Sequence, residues 1–194
     1  MIIGVTGGMG CGKSTVARMV EAAGFRRIDA DAIVREQVLT DPAVKAALQA
    51  RWGGEVLRPD GPVDRARVAD KIFADETERR WLEALVHPRV FAAWREQLAT
   101  DPAGRWVIEV PLLFEQRLEN WFDFIVCVAC TPEQQLTRLE QRGLPRPLAG
   151  QRITQQLPLA HKIEHSDFVL WNDGSTAFLQ AQVNRLLAAV PTAA

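Results

Sequence analysis

Lys13 ends a run that contains Gly7, Gly8, Gly10 and Gly12, and Ser14 and Thr15 follow it. The stretch GGMGCGKS fits the spacing G-x-x-x-x-G-K-[ST], with Gly7, Gly12, Lys13 and Ser14 at the fixed positions. Glycine permits backbone conformations closed to other residues, so successive N–H groups in such a loop converge on an anion at a helix N-terminus. The lysine ammonium then bridges β- and γ-phosphates, and the serine hydroxyl coordinates Mg²⁺. The expectation is a nucleoside triphosphate with Mg²⁺, held by Gly8, Gly10, Cys11, Gly12, Lys13, Ser14 and Thr15, with Ser14 as the metal ligand. A guanine-specific switch protein shows N/T-K-x-D, and none of Lys45, Lys71 or Lys162 follows Asn or Thr. The one D-x-x-G string, Asp101–Gly104, precedes a strand rather than following one. A small-molecule kinase is favoured over a switch.

A second acidic group stands in IDADAIVRE, residues 28–36. Asp29 or Asp31 is either a cap for the helix that follows or an acceptor for a proton from a hydroxyl. Arg35 stands four residues after Asp31, a spacing that puts carboxylate and cation on one helical face. Two other strings point elsewhere. HKIEH at 161–165 fits H-x-x-E-H of some zinc proteases, but nothing identifies the third protein ligand a catalytic zinc needs, and a solvated helical segment is the better reading. Cys127 and Cys130 are spaced as a redox pair, yet Cys127 lies in an apolar strand, and two buried small side chains fit better.

Strands and helices have to place these groups. Apolar runs predict short strands at 1–6, 25–29, Trp106–Val110, Phe124–Ala129 and Phe168–Trp171. A helical pattern covers 13–23, and others cover 64–73 and 76–86, with a break expected at His87-Pro88. Thr131-Pro132-Glu133-Gln134 carries an N-cap, a first-position proline and a capping pair, and Ser175 opens a last helix to about residue 189. Five strands separated by helices imply an α/β fold with a parallel sheet covered by helices. The helical block at about 32–100 reads as an insertion and the polar stretch 143–165 as a lid. The core is then 1–31, 101–142 and 166–194 of a single domain.

Bulk composition is that of an ordinary globular domain, with 194 residues, 47% apolar and 24% charged. A net charge of -1 gives no sign of a nucleic-acid partner or an anionic membrane surface. No apolar stretch reaches the roughly 20 residues that span a bilayer. Three cysteines without a secretory signal point to a cytoplasmic location.

In order along the chain stand TGGMGCGKST, DADAIVRE, LVHPRV (85–90), VPLLFE (110–115), QLTRLEQR (135–142), QRITQQ (151–156) and SDFVLWNDGS (166–175). Together they resemble the dephospho-CoA kinase family over essentially residues 1–190. The resemblance implies a P-loop NTPase fold with a helical acceptor-binding insertion and a lid. It also implies ATP-dependent phosphorylation of the ribose 3′-hydroxyl of dephospho-CoA, giving coenzyme A and ADP. It assigns Asp31 as general base, and Thr6 either a place near the reacting groups or a local backbone contact. Arg138 and Arg142, one helical turn apart, face the phosphates or simply solvent. It also implies that Arg152 closes over the nucleotide and that Asn172 and Gly174 lie near adenine. Arg35, Leu113, Phe114 and Glu115 border the acceptor, and His87 is a structural cap or an acceptor contact. Cys11 departs from the family, standing where serine is common, and Glu109 ends the third strand where Asp is frequent. The alternatives are another P-loop kinase of the nucleoside monophosphate type or a non-catalytic nucleotide-binding regulator. No obligate protein partner is expected, and the chain is read as a monomer or weak homo-oligomer.

Overall fold

The computed structural model describes residues 1–191, the side chain of Phe73 excepted. The chain divides into two compact units, one of residues 1–28 and 103–191 and one of 29–102. In the first, β1 (Ile2–Gly7) is buried from Ile3 onward and ends in the glycine loop. Helix α1 (Lys13–Ala22) follows and turns Val16, Ala17 and Val20 inward at helical spacing. The remaining strands are β2 (Arg26–Asp29), β3 (Trp106–Glu109), β4 (Phe124–Ala129) and β5 (Phe168–Trp171). Among the described residues they form one all-parallel sheet in the order β2-β3-β1-β4-β5. In its register Val5 of β1 lies beside Glu109 on one side and Val126 on the other. A parallel sheet covered by helices buries both faces of its strands, which is why β1 and β4 read as unbroken apolar runs. Parallel register also gathers the carboxyl ends of the strands at one edge, where ligands of open α/β sheets bind.

The second unit is helical. Asp29 caps α2 (Ala30–Ile33) by accepting from the Ala32 N–H at 3.0 Å, and the chain continues through a π-helical turn at Val34–Val38. Helices α3 (Pro42–Trp52), α4 (Arg65–Ala74) and α5 (Glu76–Ala99) begin at Asp41, Asp64 and Asp75, each of which caps its helix with its side chain. The break expected at His87-Pro88 does not occur, since α5 runs through Pro88. Val86, Val90, Ala93 and Trp94 are buried on both sides of the proline, and that common face outweighs the one helix hydrogen bond a proline removes.

Back in the first unit, α6 (Pro132–Gln141) opens with Thr131 accepting from the Gln134 N–H. The segment expected as a lid forms α7 (Arg146–Thr154) and α8 (Leu159–Glu164). Ser175 then caps α9 (Thr176–Ala189). The core of this unit joins Ile3 and Val5, Val16 and Val20, Val126 and Val128, and Leu179 and Val183, so sheet and flanking helices share one apolar centre.

Candidate active site

The glycine loop is held open by its carbonyl groups. Lys13 is nearly buried, and its ammonium donates to the Gly7 and Gly8 carbonyls at 3.2 and 3.0 Å. The Gln135 amide donates to the Met9 carbonyl at 2.8 Å, Arg138 to that of Gly10 at 3.4 Å, and the Asn172 amide to that of Cys11 at 2.8 Å. The Gly12 carbonyl takes the Thr15 and Val16 N–H groups. Every carbonyl from residue 7 to residue 12 therefore has a donor within the protein. Gly12 adopts φ 100° and starts α1 with no side-chain cap bond, so no capping side chain occupies the N-terminus of that helix, where anions bind. Gly8 and Gly12 also have no room for a side chain. An added Cβ would stand 2.3 Å from the Gln135 and Asn172 amide nitrogens respectively.

These contacts settle where several sequence-predicted residues lie. Arg138 is half-buried, with its second nitrogen donating to the Asn172 carbonyl at 2.7 Å, so it braces the loop against the turn after β5. Arg142 is exposed at the end of α6. The Asn172 side chain reaches the loop carbonyl of Cys11, and Gly174 lies exposed two residues on. Thr15 is half-buried in the first turn of α1. Gln135 carries no assignment from the sequence, although a polar residue four before the buried Leu139 on α6 was a signal of an inward-facing amide.

The Ser14 hydroxyl donates to Glu109 Oε1 at 2.8 Å, joining the start of α1 to the end of β3. Two hard oxygen donors beside a phosphate cradle suit Mg²⁺, which keeps waters and takes few protein ligands. Among the described residues no group of three or more His, Cys, Asp or Glu could hold a metal. Thr6 is wholly buried on β1, and its hydroxyl has no hydrogen-bond partner among the described residues. The local backbone contact is thus not the one its hydroxyl makes.

Residues 143–165 connect to the loop through side chains. Gln156 accepts from the Met9 N–H at 3.2 Å, and the next residue, Leu157, donates its N–H to Glu115 at 3.0 Å. Glu115 in turn pairs with Lys162 at 2.7 Å, and the same ammonium donates to the Pro111 carbonyl at 2.9 Å. Lys162 is wholly buried. HKIEH is therefore not a solvated stretch at its centre: it delivers a buried cation to the loop after β3. His161 and His165 stack on each other with centroids 4.0 Å apart, and Phe114 meets both edge-on. Leu113 is fully enclosed and Phe114 nearly so. Arg152 on α7 is half-buried.

A family model described as dephospho-CoA kinase matches residues 1–177. The chain belongs to the dephospho-CoA kinase family. It is 43% identical to a dephospho-CoA kinase of Thermosynechococcus vestitus over 185 residues, 94% of this chain and 91% of the relative. A crystal structure from Thermus thermophilus superposes with a TM-score of 0.84 at 31% identity, covering 99% of this chain and 98% of the other. A dephospho-CoA kinase from Campylobacter jejuni has the same fold, with a TM-score of 0.71 at 24% identity over 96% and 95% of the two chains.

In this member of the dephospho-CoA kinase family the helical unit carries the other candidates. Asp29 is the helix cap, whereas Asp31 is exposed in the first turn of α2. Arg35 pairs with Glu36 at 2.7 Å rather than with Asp31. The Asp31 charge still acts on the Arg35 guanidinium, more weakly than Glu36 does. Glu36 is also the main cause that raises the Arg35 pKa above its ordinary value. His87 is half-buried against Phe91, at 5.9 Å between centroids, and burial lowers its pKa against a smaller opposing pull from Glu83. With Val34, Val68, Leu82 and Val86 it lines a mostly apolar cleft of about 220 Å³.

Proposed function

We propose that this chain transfers the γ-phosphoryl group of ATP to the ribose 3′-hydroxyl of dephospho-CoA, giving coenzyme A and ADP in the cytoplasm. The observation that carries the reading is the glycine loop with all six of its carbonyls bound, within a family of kinases that share this acceptor. Phosphoryl transfer passes through a loose transition state in which positioning and charge dominate. Lys13 supplies the charge at the bridging oxygens, and the amides of Gly8, Gly10 and Gly12 orient the chain of phosphates. Ser14, with Glu109 beside it, would hold Mg²⁺, which would supply charge neutralisation to the phosphates.

Asp31 accepts the proton of the attacking hydroxyl, and aligning that hydroxyl is the larger part of its work. Arg142, exposed on α6, and Arg152, on α7, add positive charge where negative charge develops in transfer. Arg138 and Asn172 act one step back, by fixing the loop that binds the phosphates. The 29–102 unit binds the acceptor, with Arg35 and His87 as polar contacts.

The test is ADP release with ATP, Mg²⁺ and a panel of acceptors that includes dephospho-CoA, AMP, CMP and pantetheine. Turnover should be fastest with dephospho-CoA. A faster rate with another acceptor would overturn the assignment, and tight ATP binding without any turnover would favour a regulator. Lys13→Ala should remove most activity. Asp31→Asn should lower kcat by roughly a hundredfold with ATP binding kept, as loss of a positioned base does. An unchanged kcat would make Asp31 a helix residue and no more.

A further inference from the structure

The transfer reaction makes no use of the thiols behind the loop. Cys11 lies within the glycine loop and Cys130 directly after β4, and the Cys130 S–H donates to the Cys11 sulfur at 3.4 Å. Both are free and buried, at 0% and 1% exposure. Cys127, earlier on β4, is also buried, and burial pushes its thiol up to about 12. Cys11 behaves otherwise. The hydrogen bond from Cys130 outweighs its burial, and the Lys13 charge adds to the effect, bringing Cys11 down to about 7. Cys130 moves up, chiefly because Cys11 is its hydrogen-bond partner. One sulfur is thus disposed to be a thiolate nucleophile, and the other holds the proton.

We propose that Cys11 and Cys130 are a site of reversible oxidation by peroxide, closing a disulfide that ties the phosphate loop to the end of β4 and weakens nucleotide binding. The Cys11 thiolate attacks one oxygen of hydrogen peroxide. The O–O bond breaks, and hydroxide leaves and takes up a proton to become water. The Cys130 sulfur then attacks the Cys11 sulfenic acid. The S–O bond breaks, and the departing hydroxide takes the Cys130 proton as a second water. Two thiols and one peroxide give one disulfide and two waters.

Burial directs this chemistry rather than forbidding it. Peroxide is close to water in size and enters when the loop opens locally. A second thiol already in contact captures the sulfenic acid before another peroxide arrives, so the product is a disulfide and not a sulfinic acid. The bond draws the sulfurs to about 2.05 Å, and the strain falls on the Cys11 backbone. There the N–H holds the Gly8 carbonyl at 3.2 Å and the carbonyl holds Asn172 at 2.8 Å. Those two bonds shape the arc that faces the phosphates. Bound nucleotide opposes the opening and slows the reaction.

The experiment treats the full-length protein with hydrogen peroxide, with and without MgATP, and maps its peptides by mass spectrometry while ATP binding is measured by calorimetry. Expected are a Cys11–Cys130 cross-link short of two hydrogen atoms, a free Cys127, and a rise of about tenfold in the Kd for ATP. Dithiothreitol should reverse all of these changes, and MgATP should slow them. Cys130→Ser should give over-oxidised Cys11 with no cross-link. Should that variant fail to fold, the wild-type map decides alone. Three free thiols after treatment, a link through Cys127 or between two chains, or a cross-link with unchanged ATP affinity would each overturn the proposal.

Discussion

At Gly12 two demands meet in one residue. Its φ of 100° lies in the left-handed region, and a Cβ would stand 2.3 Å from the Asn172 amide nitrogen that holds the loop. For an L-residue the backbone alone costs about 1–2 kcal/mol there, and displacing Asn172 adds the loss of the Cys11 carbonyl bond. Gly12→Ala should therefore raise the Kd for ATP about tenfold or more, read by calorimetry, with the fold kept in circular dichroism. An unchanged Kd would show that the loop binds nucleotide in another shape. The glycine spacing was legible in the sequence because each constraint is local to four or five residues. The donors that complete the loop were only partly legible. Gln135, Arg138 and Asn172 are in contact with it across more than a hundred residues of chain, and a sequence shows their type but not their direction. Asn172, which the family resemblance puts near adenine, also holds the Cys11 carbonyl with its amide.

At the scale of elements, the strands and the starts of α6 and α9 were legible because burial on both faces and side-chain caps leave plain patterns. Two elements were not. Helix α5 continues through Pro88, since a shared buried face outweighs a local breaker. Helix α8 has six residues, too short to show which face is inward, so Lys162 reads as a surface cation. Its burial makes it the anchor of the 143–165 segment, through Glu115 to Leu157, beside which Gln156 meets the loop. Removing one partner of a buried pair strands the other charge at a cost of about 3–5 kcal/mol. Glu115→Gln should show that loss in urea denaturation, and Glu115→Gln combined with Lys162→Met should recover much of it. If the double variant is no more stable than the single, the pair is not a unit. A raised KM for ATP in Glu115→Gln, measured well below its denaturation midpoint, would tie the anchor to the loop rather than to stability alone.

Among the described residues an apolar core joins β1, α1, β4 and α9, while Val44, Leu48, Val68, Val90 and Trp94 are buried on α3, α4 and α5. The glycine loop, Glu109 and Arg138 lie in one unit, and Asp31, Arg35 and His87 in the other. The proposed division of donor and acceptor between the units has a direct consequence for ligand-induced protection. A ligand stabilises the parts of the native state it binds, by about 2.7 kcal/mol at a hundred times its Kd, and hydrogen exchange reports where that energy is placed. With a non-hydrolysable ATP analogue and Mg²⁺, slowed exchange should concentrate in residues 7–17, 131–142 and 171–175. Dephospho-CoA alone should instead slow exchange within residues 29–102, in α2 and around His87 above all. Protection by dephospho-CoA confined to the glycine loop would mean that the acceptor uses the phosphate cradle, and the helical unit would then need another role.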